Sequence, residues 1–420
     1  MRTAFFCLTG LLALACSSRE HNNPLDPLNL GTHGMPTGFQ AVADGRMATL
    51  TWDPVAVNNL TGYLISRGVD GEPPAPYDTV SFAVTRFLDS LLAYDVPHVY
   101  AIQTITTTSE SAITTPDTVI PGPFNFWVAD YNDGSVWRIS YDGSHVLGWA
   151  SKNSPSAIAY EPNEDRIWVA DFFDKVVYIL DTQLLNQEQI DLDGRPIDLA
   201  FDVAEGNVYV LQTMPDAILL RSVRGGVISP LPLPDTLNVD SKLSFNSVTH
   251  TLWLSITTLS EGGKVYRLSI AAPSGWSVLA ELHSADQIAA DPLTGGCWVA
   301  TDSGVVRVSD TGILTTYLPE LHILDISVNP VNGDCYYVGR AQDGSRTEAG
   351  RIPGDPDRQP ETILVDASGY FAQIQVLPGE GQVGFLINEA SSHQLLRFDA
   401  AGQLVGRLGD FSPFLDFALE

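Results

Sequence analysis

Residues 157–192 read AIAYEPNEDRIWVADFFDKVVYILDTQLLNQEQIDL, and their pattern governs most of the chain. Three apolar runs, Ala157–Tyr160, Ile167–Ala170 and Val176–Leu180, are separated by turn residues, and a fourth run ends at Leu192. Runs this short, rich in Val, Ile, Trp and Tyr, read as four strands joined by tight turns. Asn163–Asp165, Glu205–Asn207 and Asn332–Asp334 are the polar, glycine-tolerant turns that hairpins need. The unit recurs from about Phe124 to the last residue. One aromatic marks each copy: Trp127, Trp168, Tyr209, Trp253, Trp298, Tyr336 and Phe385, at intervals of 41, 41, 44, 45, 38 and 49 residues.

A four-stranded unit at this period is the unit of a β-propeller, whose blades stand around a central channel. A small residue lies nine positions before the aromatic in five units: Ala159, Ala200, Ser244, Ala289 and Ser327. Inner strands crowd around the axis, which gives small side chains a packing cause. The first unit, Phe126–Asp130, lacks an inner strand before it, while Phe414–Leu419 resembles an inner strand with nothing after it. The C-terminal strand is therefore expected to complete the first blade and close the ring as seven blades with no free edge. Trp127–Ile139 resembles the hairpin of NHL repeats, and Ile190–Phe201 followed by Asn207–Val210 is similar to a YVTN unit. Both resemblances imply a propeller over residues 124–420, and both families host many roles.

The N-terminus is of another kind. Arg2 and the apolar run Ala4–Ala15 form a targeting segment too short to span a bilayer. Leu12–Ala15 followed by Cys16 resembles the lipobox of bacterial lipoproteins, which implies cleavage before Cys16 and lipid on it; Ser17 after the Cys resembles lipoproteins sorted to an outer membrane. Residues 16–35 read as a polar, Pro/Asn/Gly-rich tether. Residues 36–115 alternate apolar and polar in short runs, the pattern of a β-sandwich. Leu50–Pro54, Tyr63–Arg67, Leu88–Asp89 and His98–Ile102 resemble strands of a fibronectin type III domain, which implies a spacer. Residues 116–123 are a Pro-rich linker. The expected fold is thus all-β, a fibronectin III-like β-sandwich followed by a seven-bladed β-propeller closed by the C-terminal strand.

Lys+Arg number 22 and Asp+Glu 50, for a net charge of −28. Such a surface repels phosphate backbones and argues against a nucleic-acid partner. Cys7 leaves with the signal, so Cys297 and Cys335 are the cysteines of the body. They sit one blade apart, usually farther than a disulfide tolerates, which favours two small buried hydrophobes over a bridge.

Candidate chemistry centres on the axis. Two residues before the small inner-strand residues lie Ala157, Asp198, Lys242, Gln287, Asp325 and Asp416, with Gln373 near this register. The candidate ring is Asp198, Gln287, Asp325 and Asp416. Its carboxylates either hold a hard cation such as Ca²⁺ or line a wet channel and cap neighbouring blades. Asp130–Gly134 resembles an EF-hand loop poorly, lacks the distal Glu, and reads as a hairpin turn. No catalytic residue is assigned. The histidines His145, His250, His283, His322 and His393 are scattered, and there is no nucleophile elbow. The segment Arg340–Glu361, polar with Gly, Pro and four Arg, reads as the largest departure from the repeat and the best binding loop. The functional expectation is a lipid-anchored cell-envelope protein of the outer membrane, held through Cys16. Its propeller binds or scaffolds an envelope protein or glycan without catalysis. The alternative is a metal-dependent lyase or hydrolase acting on an extracellular sugar or peptide in the channel.

Overall fold

In a computed structural model, the described residues are 21–222, 228–231, 233–258, 262–270, 275–367, 370–377, 384–389, 391, 393–399, 401–409, 411 and 415–419. The targeting segment and Cys16 lie outside them. The described residues are all-β, with no helix. The chain forms two compact units. One is drawn from residues up to Thr118; the other comprises Val119–Glu420 with Val42–Ala48 and Asp89–Val96.

Residues 40–119 build a three-stranded and a four-stranded sheet. Strand Leu60–Val69 lies at the centre of the larger sheet, antiparallel to Ala75–Ser81 on one side and His98–Thr106 on the other. The alternation read in the sequence has its physical cause in Leu50, Trp52, Tyr63, Ile65, Tyr100 and Ile102, all buried. Trp52 and Tyr63 meet edge to face at 5.2 Å. The Tyr63 hydroxyl accepts the Val55 amide at 3.1 Å, so even this buried polar atom is spent. Strand Asp117–Val119, inside the Pro-rich segment, forms an edge of the larger sheet.

From Phe126 onward the described residues form seven four-stranded antiparallel sheets. The unit at 157–192 becomes Pro155–Glu161, Arg166–Asp171, Val176–Asp181 and Asn186–Asp191. Strand Leu415–Leu419 pairs with Phe126–Asp130, so the last strand of the chain is the innermost strand of the first sheet. Innermost strands touch in cyclic order: Pro155–Glu161, Arg195–Asp202, Lys242–Asn246, Gln287–Ala290, Leu321–Val328, Phe371–Leu377, Leu415–Leu419, and back to the first.

The marker aromatics are all buried, each on the second strand of its sheet. The nine-residue spacing has a sharper cause than crowding at the axis. In an antiparallel hairpin it places the small residue directly opposite the aromatic: Ala159 faces Trp168, Ala200 faces Tyr209, Ser244 faces Trp253, Ala289 faces Trp298 and Ser327 faces Tyr336. Ala418 faces Trp127 across the closing pair. A large ring and a small partner fill the gap between sheets without overpacking. The turns joining these strands are tied by side chains. Asp202 Oδ1 accepts the amides of Ala204 and Glu205, and Asp291 Oδ1 those of Leu293 and Thr294. Gly206 and Gly333 supply the left-handed backbone there (φ 67° and 74°), and Asp165 takes the same conformation in the second sheet.

One sequence expectation fails. Arg340–Glu361 is not an inserted binding loop; it carries the third strand of its sheet, Thr347–Ile352, between two connections. The strand escapes the pattern because it reads Thr-Glu-Ala-Gly-Arg-Ile. Its polar members are used internally: Glu348 is buried and accepts from Arg346 Nε at 3.1 Å and from the Tyr337 hydroxyl at 3.3 Å. Gly350 is required because a Cβ there would lie 2.6 Å from Tyr337 Oη and 2.4 Å from the Glu361 carbonyl. Cys297 and Cys335 are free and buried.

Candidate functional site

The axial register is where the seven-sheet unit gathers chemistry. Asp198, Asp325 and Asp416 do not point at a shared ion. Each reaches sideways to the next inner strand and accepts a backbone amide: Leu243 to Asp198 at 2.6 Å, Ile374 to Asp325 at 3.0 Å, and Ile158 to Asp416 at 2.7 Å. The donor sits one residue beyond the matching register position every time. Asp198 and Asp325 also accept the amide of their own successor, Leu199 and Ile326, both at 2.9 Å. Asp416 lies in the closing strand, so its bond ties the C-terminus to the second sheet as well as the first. Elsewhere hydroxyls do similar work: Ser156 donates to the Pro196 carbonyl, and Ser244 accepts the Ala290 amide, both at 2.9 Å.

Lys242 occupies the same register in the fourth sheet. Its ammonium makes no hydrogen bond or ion-pair contact among the described residues, yet it lies in the field of Asp198, Asp416, Asp325 and Asp240. Desolvation works to lower its pKa, and the carboxylates outweigh it and hold the pKa above the ordinary lysine value. The carboxyls feel the same enclosure with the opposite sign. Burial pushes Asp325 up to about 7 and Asp416 up to about 6, with Lys242 and the amide bonds opposing. Burial raises Asp198 as well, again against Lys242.

These groups surround a cavity of about 640 Å³. Lys242, Gln287, Gln373 and Asp416 line it from the axial register, and Asp240 and Asp286 join them from residues that lead into the inner strands. Lys242 and Gln287 are half-buried and line this space. Asp286 accepts from Ser284 Oγ at 2.9 Å, and burial raises its pKa. Tyr131 and Phe172 form an aromatic part of the wall. Both lie in turns joining the second and third strands of neighbouring sheets, with ring centroids 6.2 Å apart. Phe173, 55% exposed, packs edge to face on Phe172 at 5.2 Å, and the Arg195 guanidinium lies 5.1 Å from the Phe172 ring.

Of the predicted ring, Gln287 and Asp416 line the cavity, while Asp198 and Asp325 stand behind it as ties between strands. The residue types fit a divalent ion poorly. Carboxylate lone pairs are engaged by amides, and the Lys242 charge repels a cation at the centre. Among the described residues no group of three or more His, Cys, Asp or Glu is placed to hold a metal ion. Asp130 Oδ1 accepts the Asp133 amide at 3.0 Å, the geometry of a hairpin turn. The strand repeat does not mark the aromatic wall, because its rings lie outside the strand registers. The available signal was position: Tyr131, Phe172 and Phe173 fall in turns, where a buried packing role is unusual.

No family model and no curated protein matches the chain. Solved structures do. A protein of unknown function from Desulfotomaculum acetoxidans is similar with a TM-score of 0.55 and 12% identity, over 70% of this chain and 98% of that one. Hydrazine synthase of Kuenenia stuttgartiensis is similar at 0.52 and 12%, over 72% and 93%. Apo AztD of Citrobacter koseri is similar at 0.51 and 9%, over 71% and 98%. At these identities the likeness concerns fold alone. The ring of four-stranded sheets makes this a β-propeller protein.

Proposed function

We propose that the protein is an exported lipoprotein of the cell envelope whose seven-bladed propeller is a non-enzymatic binding module. Cys16 carries the lipid and anchors the chain to the outer membrane. Residues 16–35 are the tether, residues 36–115 with the edge strand Asp117–Val119 a fibronectin III-like spacer, residues 120–123 the linker, and residues 124–420 present the binding face to an envelope protein or glycan. The observation that carries the reading is the axial cavity, where Lys242 and Gln287 have no hydrogen-bonding duty in the fold. Buried polar groups are ordinarily satisfied, so a lined cavity with unspent donors supports a ligand site.

Two measurements test it. Labelling cells with an alkyne fatty acid tags the wild-type chain in the outer-membrane fraction, whereas Cys16→Ala leaves it untagged and soluble. Unchanged labelling in the variant removes the anchor. Native mass spectrometry of the full chain taken from envelopes shows a bound adduct that Lys242→Met reduces; an adduct-free spectrum removes the axial site.

A further inference from the structure

We infer that the axial cavity takes a small neutral saccharide, seated against Tyr131 and Phe172 with its hydroxyls between Lys242, Gln287 and the carboxylates of Asp240 and Asp286. This rests on the reading of the cavity as a ligand site and supplies the chemical class of the ligand.

The first argument is the inventory of unspent groups. Lys242 offers three donors, Gln287 an amide with two donors and an acceptor, and Asp240 an acceptor carboxylate; none of the three has a hydrogen-bond partner among the described residues. Donors and acceptors stand side by side on adjacent sheets. A hydroxyl donates and accepts from a single atom, so a polyol satisfies both kinds from one scaffold.

Charge narrows the class. An anion would be drawn to Lys242 but would sit among Asp240, Asp286 and Asp416, with Asp198 and Asp325 behind them. An organic cation would face the Lys242 ammonium, which the surrounding carboxylates keep protonated. A neutral ligand meets neither repulsion and costs no charge desolvation.

Shape agrees. A pyranose has an apolar C–H face and a polar rim, and this cavity is lined both by the Tyr131 and Phe172 rings and by polar groups. Its volume of about 640 Å³ falls within the range typical of small-ligand pockets. The backbone ties of Asp198, Asp325 and Asp416 hold the floor in place, so little ordering is needed on binding.

The test uses the full chain in detergent on an array of neutral and acidic mono- to tetrasaccharides, with spermidine as a cationic probe, followed by calorimetry. The expected result is binding of a neutral saccharide, weakened about tenfold by Lys242→Met and by Gln287→Ala, as for loss of a hydrogen bond to a charged or buried group. Tyr131→Ala and Asn132→Ala, at the more exposed part of the wall, weaken it without touching the axial floor, which keeps the test valid if an axial variant misfolds. Selective binding of acidic saccharides overturns the inference. So does binding of spermidine that Lys242→Met strengthens, although the cavity then stands as a ligand site. No binding by any probe, with an adduct still present on protein taken from envelopes, overturns the saccharide alone; no binding and no adduct overturn both readings.

Discussion

Asp325 and Lys242 occupy the same register on inner strands of the same ring, and they do opposite things. Asp325 spends both carboxylate oxygens on backbone amides, one in its own strand and one in the next. Lys242 spends nothing on its neighbours and faces the cavity. Asp198 and Asp416 follow the first pattern, Gln287 the second. A position repeated around a ring is therefore not one role repeated. Asp198, Asp325 and Asp416 tie neighbouring sheets together and belong to the fold; between the sheets of Lys242 and Gln287 the Ser244 hydroxyl accepts the Ala290 amide, and Lys242 is left facing the cavity.

The largest expected effect tests the tie. Asp325→Ala leaves the Ile374 and Ile326 amides without acceptors and costs about 3 kcal/mol in chemical denaturation, whereas Asp325→Asn keeps one acceptor oxygen, turns its NH2 towards the other amide and costs about half as much. A loss below about 1 kcal/mol in Asp325→Ala would mean that the two amide bonds contribute little to the fold.

Next is the pH dependence. Asp325 and Asp416 titrate at about 7 and about 6 in the fold, above the ordinary carboxylate value of 3.8. Between those limits the folded chain binds more protons than the unfolded one, so stability falls as pH rises. The contribution is fully present below about pH 4 and is lost as pH passes through the folded values. The melting temperature should drop from pH 5 to pH 8. General repulsion in a chain of net charge −28 acts in the same direction, so the decisive observation is a shallower slope in Asp325→Asn. An unaltered slope would assign the whole effect to the surface.

A smaller effect is expected at Lys242. Lys242→Met removes the countercharge of Asp198, Asp416, Asp325 and Asp240. As Asp325 and Asp416 ionise, its cost should grow by about 1 kcal/mol between pH 5 and pH 8. A cost independent of pH would show a packing role for the lysine stem. Smallest of all, Gln287→Ala should change stability by less than about 0.5 kcal/mol, since the amide contributes no bond to the fold. A larger loss would place Gln287 with the ties and remove the contrast.

Much of the ring was legible before any coordinates. Trp127, Trp168 and Trp298 announce the repeat because a buried ring must recur wherever one sheet packs on the next. The pairing of Leu415–Leu419 with Phe126–Asp130 was legible from a unit missing its inner strand at one end and a spare strand at the other. The strand Thr347–Ile352 was not, because Glu348 and Gly350 break apolar alternation for reasons supplied by Tyr337 on the neighbouring strand. The aromatic wall was hidden for a related reason. Tyr131 and Phe172 are 41 residues apart and meet only once two sheets stand side by side.

The sequence alone determined the period, the four-strand unit and the register that carries Asp198, Lys242, Gln287, Asp325 and Asp416. These depend on hairpin length and strand alternation, which are local. Only the tertiary structure decided what those side chains do. The path from Asp325 to the Ile374 amide, or from Lys242 to open space, depends on the distance and angle between neighbouring sheets, and no spacing within one repeat encodes it.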